Sequence, residues 1–234
     1  MKNFNQKLKI PVLLFAICYL LFAIFYFAGA QTAPQFLVSW QADSYVPSWY
    51  QGKIFPTNGS KIGVNFELLE NGKIVNLSKI KVRWYINDKL IRNESNGLGI
   101  KSLSFTTSDY PGYETEVRIT LPDYKGNVLD EIIRIPVVSA EATIDSPYSD
   151  NQVYIGGSSF LAHPFFFNIK KLNELSFEWF VDGRLAKEGE RMDKLDLNID
   201  PFTPSGWEIN VQPIIKNLLN QMEFAGKNIK LRTK

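Results

Sequence analysis

Ile80-Lys81-Val82-Arg83-Trp84-Tyr85-Ile86-Asn87-Asp88-Lys89-Leu90 decides the fold, because it returns as Leu175-Ser176-Phe177-Glu178-Trp179-Phe180-Val181-Asp182-Gly183-Arg184-Leu185. Each copy alternates with a period of two. Val82, Trp84 and Ile86, then Phe177, Trp179 and Val181, form an apolar row, with mostly polar residues between them. That is the pattern of a strand buried on one face. Each copy then reaches Asn87-Asp88 or Asp182-Gly183, residues that tolerate positive φ and so close tight hairpins.

The repeat extends beyond one strand. Pro111-Gly112-Tyr113-Glu114-Thr115-Glu116-Val117 reappears as Ser205-Gly206-Trp207-Glu208-Ile209-Asn210-Val211, and Gly59 to Phe66 has a looser counterpart in Gly157 to Ala162. The period of about 95 residues is too long for a solenoid repeat and suits one β-sandwich of roughly 100 residues. Trp84, Trp179, Tyr113 and Trp207 are expected in the cores. Asn71-Gly72 signals a further hairpin, and Ser139 to Pro147 has the small, polar, Pro-containing character of a joint between domains.

Met1 to Lys9 carries Lys2, Lys7 and Lys9 without an acid, and Ile10 to Ala30 carries no charge. As a helix, 21 residues span about 31 Å, close to the hydrocarbon thickness of a bilayer. The preceding lysines place the N-terminus inside and everything after Gln31 outside. Ala28-Gly29-Ala30 also fits a signal-peptidase site, so the segment reads either as a retained transmembrane helix or as a signal cleaved after Ala30. The expected organisation is therefore a basic cytoplasmic segment 1–9, a membrane or signal segment 10–30, and domains at 31–140 and 141–234.

The chain is 45% hydrophobic and 14% aromatic with a net charge of +2, ample for two cores and far from the polybasic balance of a nucleic-acid binder. Its one cysteine, Cys18, lies in the apolar segment, so no disulfide staples either domain. Two aromatic groups are candidates for a contact surface: Tyr45, Trp49 and Tyr50, and the run Phe165-Phe166-Phe167. The first group reads more readily as the first strand and corner of the first domain, its rings covering the end of the sandwich. Three consecutive rings point to both faces of a strand, so at least one of them caps a core or a domain interface. The basic stretch Lys227 to Lys234 reads as a solvated edge strand protected by charge.

The two Trp strands, each followed by an apolar residue, an Asn/Asp turn and a basic residue with Leu, resemble the C-strand region of bacterial immunoglobulin-like and PKD-like surface domains. The resemblance covers residues from about 36 to 234. It implies an all-β chain of two tandem Ig-like Greek-key β-sandwiches with a Trp packed between the sheets of each. It also implies use as a spacer, an adhesive module or part of an envelope assembly, and the arrangement is similar to membrane-anchored accessory proteins of pilus and secretion systems.

An enzymatic reading finds no support in the motifs. There is no G-x-S-x-G elbow, the one histidine, His163, precedes Pro164, and Glu114, Glu116, Glu178 and Glu208 fall on polar strand faces. Neither an EF-hand nor a phosphate-binding loop is present, so no cofactor and no metal are expected. The expected role is a non-enzymatic extracytoplasmic scaffold or accessory protein of the bacterial cell envelope. Its partners would be the membrane through residues 10–30 and envelope or pilus proteins, with no nucleic acid. The alternative is an adhesin or glycan-binding module that uses exposed aromatics.

Overall fold

In the computed structural model the described residues are 33–148, 150–190 and 192–234. The basic and apolar segments at 1–30 lie outside them. Among the described residues no helix is long and apolar enough to cross a membrane. The protein is all-β, with two short one-turn helices at Glu94–Asn96 and Leu172–Glu174.

Eight strands come from residues 35–136: β1 Gln35–Ala42, β2 Lys61–Glu70, β3 Lys73–Ile74, β4 Arg83–Ile86, β5 Lys89–Arg92, β6 Ser102–Thr106, β7 Glu114–Tyr124 and β8 Asn127–Pro136. They form two sheets, β1-β2-β3 with β6 also on β2, and β5-β4-β7-β8. Ile62, Val64 and Phe66 of the first sheet are buried, as are Trp84, Val117 and Ile119 of the second. The Phe66 and Trp84 rings meet edge to face at 5.6 Å, so the sheets pack face to face as an immunoglobulin-like sandwich.

The second sandwich repeats the plan with β9 Glu141–Asp145, β10 Gln152–Val153, β11 Gly156–Phe165, β12 Leu175–Val181, β13 Arg184–Glu190, β14 Lys194–Ile199, β15 Glu208–Asn217, β16 Phe224–Gly226 and β17 Ile229–Thr233. Its sheets are β14-β11-β9 and β10-β17-β15-β12-β13, with β16 also on β15. Phe160 and Leu195 from one sheet and Phe177, Trp179, Val211 and Leu231 from the other share a single core.

The repeated sequence produces repeated geometry down to single bonds. Trp84 and Trp179 are both fully buried, and each indole N–H donates to a main-chain carbonyl, of Ile100 and of Met192, at 2.9 Å. Without those acceptors each buried N–H would cost about 1–3 kcal/mol. A register shift follows each Trp, between Trp84 and Tyr85 and between Trp179 and Phe180. Both hairpins turn through left-handed residues, Asn87 with Asp88 and Asp182 with Gly183. The first turn residue is then pinned to the central strand in the same way. Asn87 Oδ1 accepts from Glu116 N at 2.9 Å, and Asp182 Oδ1 accepts from Asn210 N at 2.8 Å.

Two expectations are corrected. Tyr113 and Trp207 are 68% and 57% exposed and lie outside the cores. Each closes a turn, Tyr113 N donating to Tyr110 O and Trp207 N to Pro204 O, so the in-and-out alternation begins only at Glu114 and Glu208. The basic C-terminal stretch is an edge only in part, because β17 pairs antiparallel with β15 on one side and, at Arg232 and Thr233, parallel with β10 on the other.

Candidate functional site

Tyr45, Trp49 and Tyr50 lie on the connection between β1 and β2, and Phe165–Phe167 at the end of β11 and just beyond it. The structure brings the two groups together. Tyr45 N donates to Phe167 O and Phe166 N donates to Tyr45 O, both at 2.7 Å. Trp49 meets Phe165 at 5.7 Å and His163 at 5.4 Å between ring centres. Tyr50 meets Phe165 at 5.5 Å and Phe166 at 6.0 Å, and Phe55 meets Phe166 at 5.8 Å, all near edge-to-face. Such pairs add about 0.5–1.5 kcal/mol each beyond the area they bury.

This arrangement replaces the open contact surface read from sequence with a joint between the sandwiches. Phe165, Phe166 and Phe167 are all buried, Tyr45 and Tyr50 are half-buried, and of the six rings Trp49 alone stays largely exposed, at 58%. Three neighbouring rings are buried together because Phe166 takes a left-handed backbone, with φ of 58°. The kink breaks the strand alternation, sending Phe167 into the core of the second sandwich and Phe165 and Phe166 to the rings of the first. A bulky residue in this region costs about 1–3 kcal/mol, offset here by the main-chain bonds to Tyr45 on either side. Burial, with the Asp193 carboxylate adding to it, raises the Tyr45 phenol above its ordinary range and keeps it neutral.

A polar cluster completes the joint, and nothing in the sequence singled it out. Glu223, on the turn between β15 and β16, is buried. Its Oε1 accepts from Thr57 Oγ1 at 3.0 Å and from Asn168 N at 2.9 Å, and its Oε2 accepts from Asn217 Nδ2 at 2.6 Å. Thr57 also bonds Ser60, which bonds Ser44. The carboxylate thus bonds residues of both sandwiches. A buried charge is tolerated only when hydrogen-bonded in this manner. Lys170 Nζ reaches Asp43 Oδ2 at 2.6 Å across the same joint, at its exposed margin.

Two depressions are present, and the first borders the Thr57–Glu223 cluster. One, of about 350 Å³, is lined by Thr57, Tyr110, Val138, Met222, Glu223 and Phe224. The other, of about 550 Å³, lies on the second sandwich among Asp150, Gln152, Glu208, Lys230, Arg232 and Lys234, where Arg232 pairs with Glu208 at 2.9 Å. Among the described residues no group of three or more His, Cys, Asp or Glu side chains is gathered to hold a metal ion.

No known protein family matches the chain, and no curated protein sequence matches it. Solved structures do resemble it. The fibronectin(III)-like modules of Clostridium thermocellum CbhA match over 85% of this chain and 94% of theirs, at 15% identity and a TM-score of 0.30. Three N-terminal domains of the bacteriophage RB49 highly immunogenic outer capsid protein match over 85% of this chain and 59% of theirs, at 12% identity and a TM-score of 0.40. The ICAM-5 D1–D4 ectodomain fragment matches over 87% of this chain and 54% of its own, at 6% identity and a TM-score of 0.30. The chain thus spans a little over half of the latter two. These likenesses concern the sandwich fold alone.

Proposed function

We propose that the chain is a non-enzymatic scaffold or accessory protein of the bacterial cell envelope, acting outside the cytoplasmic membrane through protein–protein contacts. The observation that carries this reading is the joint. Six aromatic rings and a buried carboxylate hold two sandwiches together, which suits a device that presents surfaces at a fixed spacing more than one that turns over a substrate. The lysine-flanked apolar segment 10–30 supports attachment to the membrane with the sandwiches outside, or secretion if it is cleaved after Ala30. Crosslinking of the full chain in membranes of its native host, followed by mass spectrometry, tests the reading. Repeated recovery of the same envelope or pilus proteins supports it. Recovery of none overturns it.

The adhesive alternative has its own observation. Trp49 at 58%, Trp207 at 57% and Phe202 at 92% are exposed rings of the kind that stack on sugars. Retention on cell-wall glycan, lost on Trp49→Ala or Trp207→Ala, would establish that reading instead.

A further inference from the structure

β8 and β17 hold the same place in their sandwiches, each paired antiparallel with the long central strand. Their outer sides differ. β17 is covered at Arg232 and Thr233 by the parallel strand β10, whereas β8 pairs with β7 from Glu114↔Pro136 to Tyr124↔Asn127 and, among the described residues, with no strand on its other side. Ten residues of sheet edge are therefore open. Val128, Asp130, Ile132 and Arg134 all point to the exposed face of this edge, with Val128 61% and Ile132 44% exposed. A long edge carrying apolar residues is a template for another strand.

We propose that two copies of this chain pair through β8, antiparallel, about a two-fold axis at Ile132, joining their β5-β4-β7-β8 sheets into one. The proposal is independent of the scaffold reading. A two-fold axis normal to a sheet makes one residue oppose its own counterpart, so only a few registers are open to a symmetric pair. Centred on Ile132, the register overlaps almost the whole strand. Ile132 faces Ile132, Val128 faces Pro136, and Asp130 faces Arg134 twice, once on each side of the axis. Opposite charges directly across a strand pair are favourable, and like charges are not.

The neighbouring registers lack this match. Centring on Asp130, Glu131 or Arg134 sets like charges directly opposite each other. Centring on Ile133 puts Asp130 against Pro136 and Arg134 against Ile132. In the Ile132 register the one like-charge approach, Glu131 to its counterpart, is diagonal and on the other face. Within one chain Asp130 accepts from Thr120 Oγ1 at 2.5 Å, and Arg134 lies 3.3 Å from Glu116, so both charges are already held on the outer face. Charges on an edge ordinarily keep other strands away; these complement a second copy. A single strand pair buries less than the roughly 1,200 Å² of stable interfaces, so the dimer is weak and reversible.

The test uses the full chain in membranes, with Cys18→Ser so that an introduced cysteine is the only thiol. In the proposed register Ile132→Cys brings two Cα atoms within disulfide reach, at about 4.5–5.5 Å. Two copies of Val128→Cys stand about 27 Å apart, eight residues along the strand. Both positions are exposed, so neither change threatens folding. Mild oxidation is expected to crosslink the first at least about tenfold more than the second, the thiols being in contact in one case and well out of reach in the other. In the Ile132→Cys background Asp130→Lys or Arg134→Glu alone should lower the yield, and mixing the two variants should restore it. Equal crosslinking of both cysteines, no crosslinking at Ile132→Cys, or failure of the mixture to recover would overturn the proposal.

Discussion

The two sandwiches share their Trp, their strand irregularity and their pinned hairpin turn, and they part company between the first strand and β11 or its counterpart β2. In the second sandwich β9 lies on β11, and the chain then changes sheets so that β10 covers β17. In the first, β1 stays with β2, and the residues that follow carry Tyr45, Trp49, Tyr50 and Thr57 into the joint. One connection seals the sheet of its own sandwich. The other grips its neighbour and, among the described residues, leaves the outer side of β8 without a strand. A duplicated fold can thus keep its interior while the loop least tied to that interior takes on a new job.

The equivalence of the interiors is the easiest part to break. Trp84→Ala and Trp179→Ala should each cost about 3–5 kcal/mol in chemical unfolding, since a large buried ring is lost and a carbonyl loses its donor. Markedly unequal losses would show that the two cores are not alike. Glu223→Ala comes next and tests the difference rather than the likeness. It strands Thr57, the Asn168 amide and Asn217 in a buried place, for about 1–3 kcal/mol, whereas a carboxylate merely resting at a surface would give no measurable loss.

Smaller effects sharpen the picture. Asn87→Ala and Asp182→Ala should each lose about 1–2 kcal/mol, because alanine is strained in the left-handed region and cannot accept the bond from the central strand. Equal shifts of the denaturation midpoint would confirm a common turn. The smallest effect belongs to the first sandwich. Hydrogen bonds from Arg83 hold the Glu94 carboxyl down to about 2, below its ordinary value of 4.5. A depressed carboxyl stabilises the fold above its unfolded pKa and loses that contribution as pH falls. Stability should therefore decline from about pH 4.5 toward pH 2, and Arg83→Ala should flatten this limb in midpoints measured across that range.

The sandwich fold was legible because its signals are local. Alternation around Trp84 and Trp179 and the turn residues Asn71-Gly72, Asn87-Asp88 and Asp182-Gly183 each act within a few positions of the chain. Alternation misled where it was extended past a strand end, at Tyr113 and Trp207. The fate of Phe165–Phe167 rested on a left-handed Phe166 that no propensity favours and that contacts distant in the chain, with Tyr45, Tyr50 and Phe55, accompany. Glu223 gave no signal, since its partner Thr57 stands far away in the chain and an acid beside Asn220, Gln221 and Met222 reads as an ordinary solvated turn. The covering of β17 depends on two residues, Gln152 and Val153, too few for any periodicity.

The parallel pairing of β10 with β17 has a mechanical meaning. Tension applied along the chain draws β10 toward its N-terminal side and β17 toward the C-terminus, so the two strands are pulled in opposite directions along their common axis. Their bonds are loaded in shear and must fail together rather than peel one by one. The first sandwich has no such clasp on β8 among its described residues. Stretched by its ends, the molecule should yield first where it is bare and last where it is sealed.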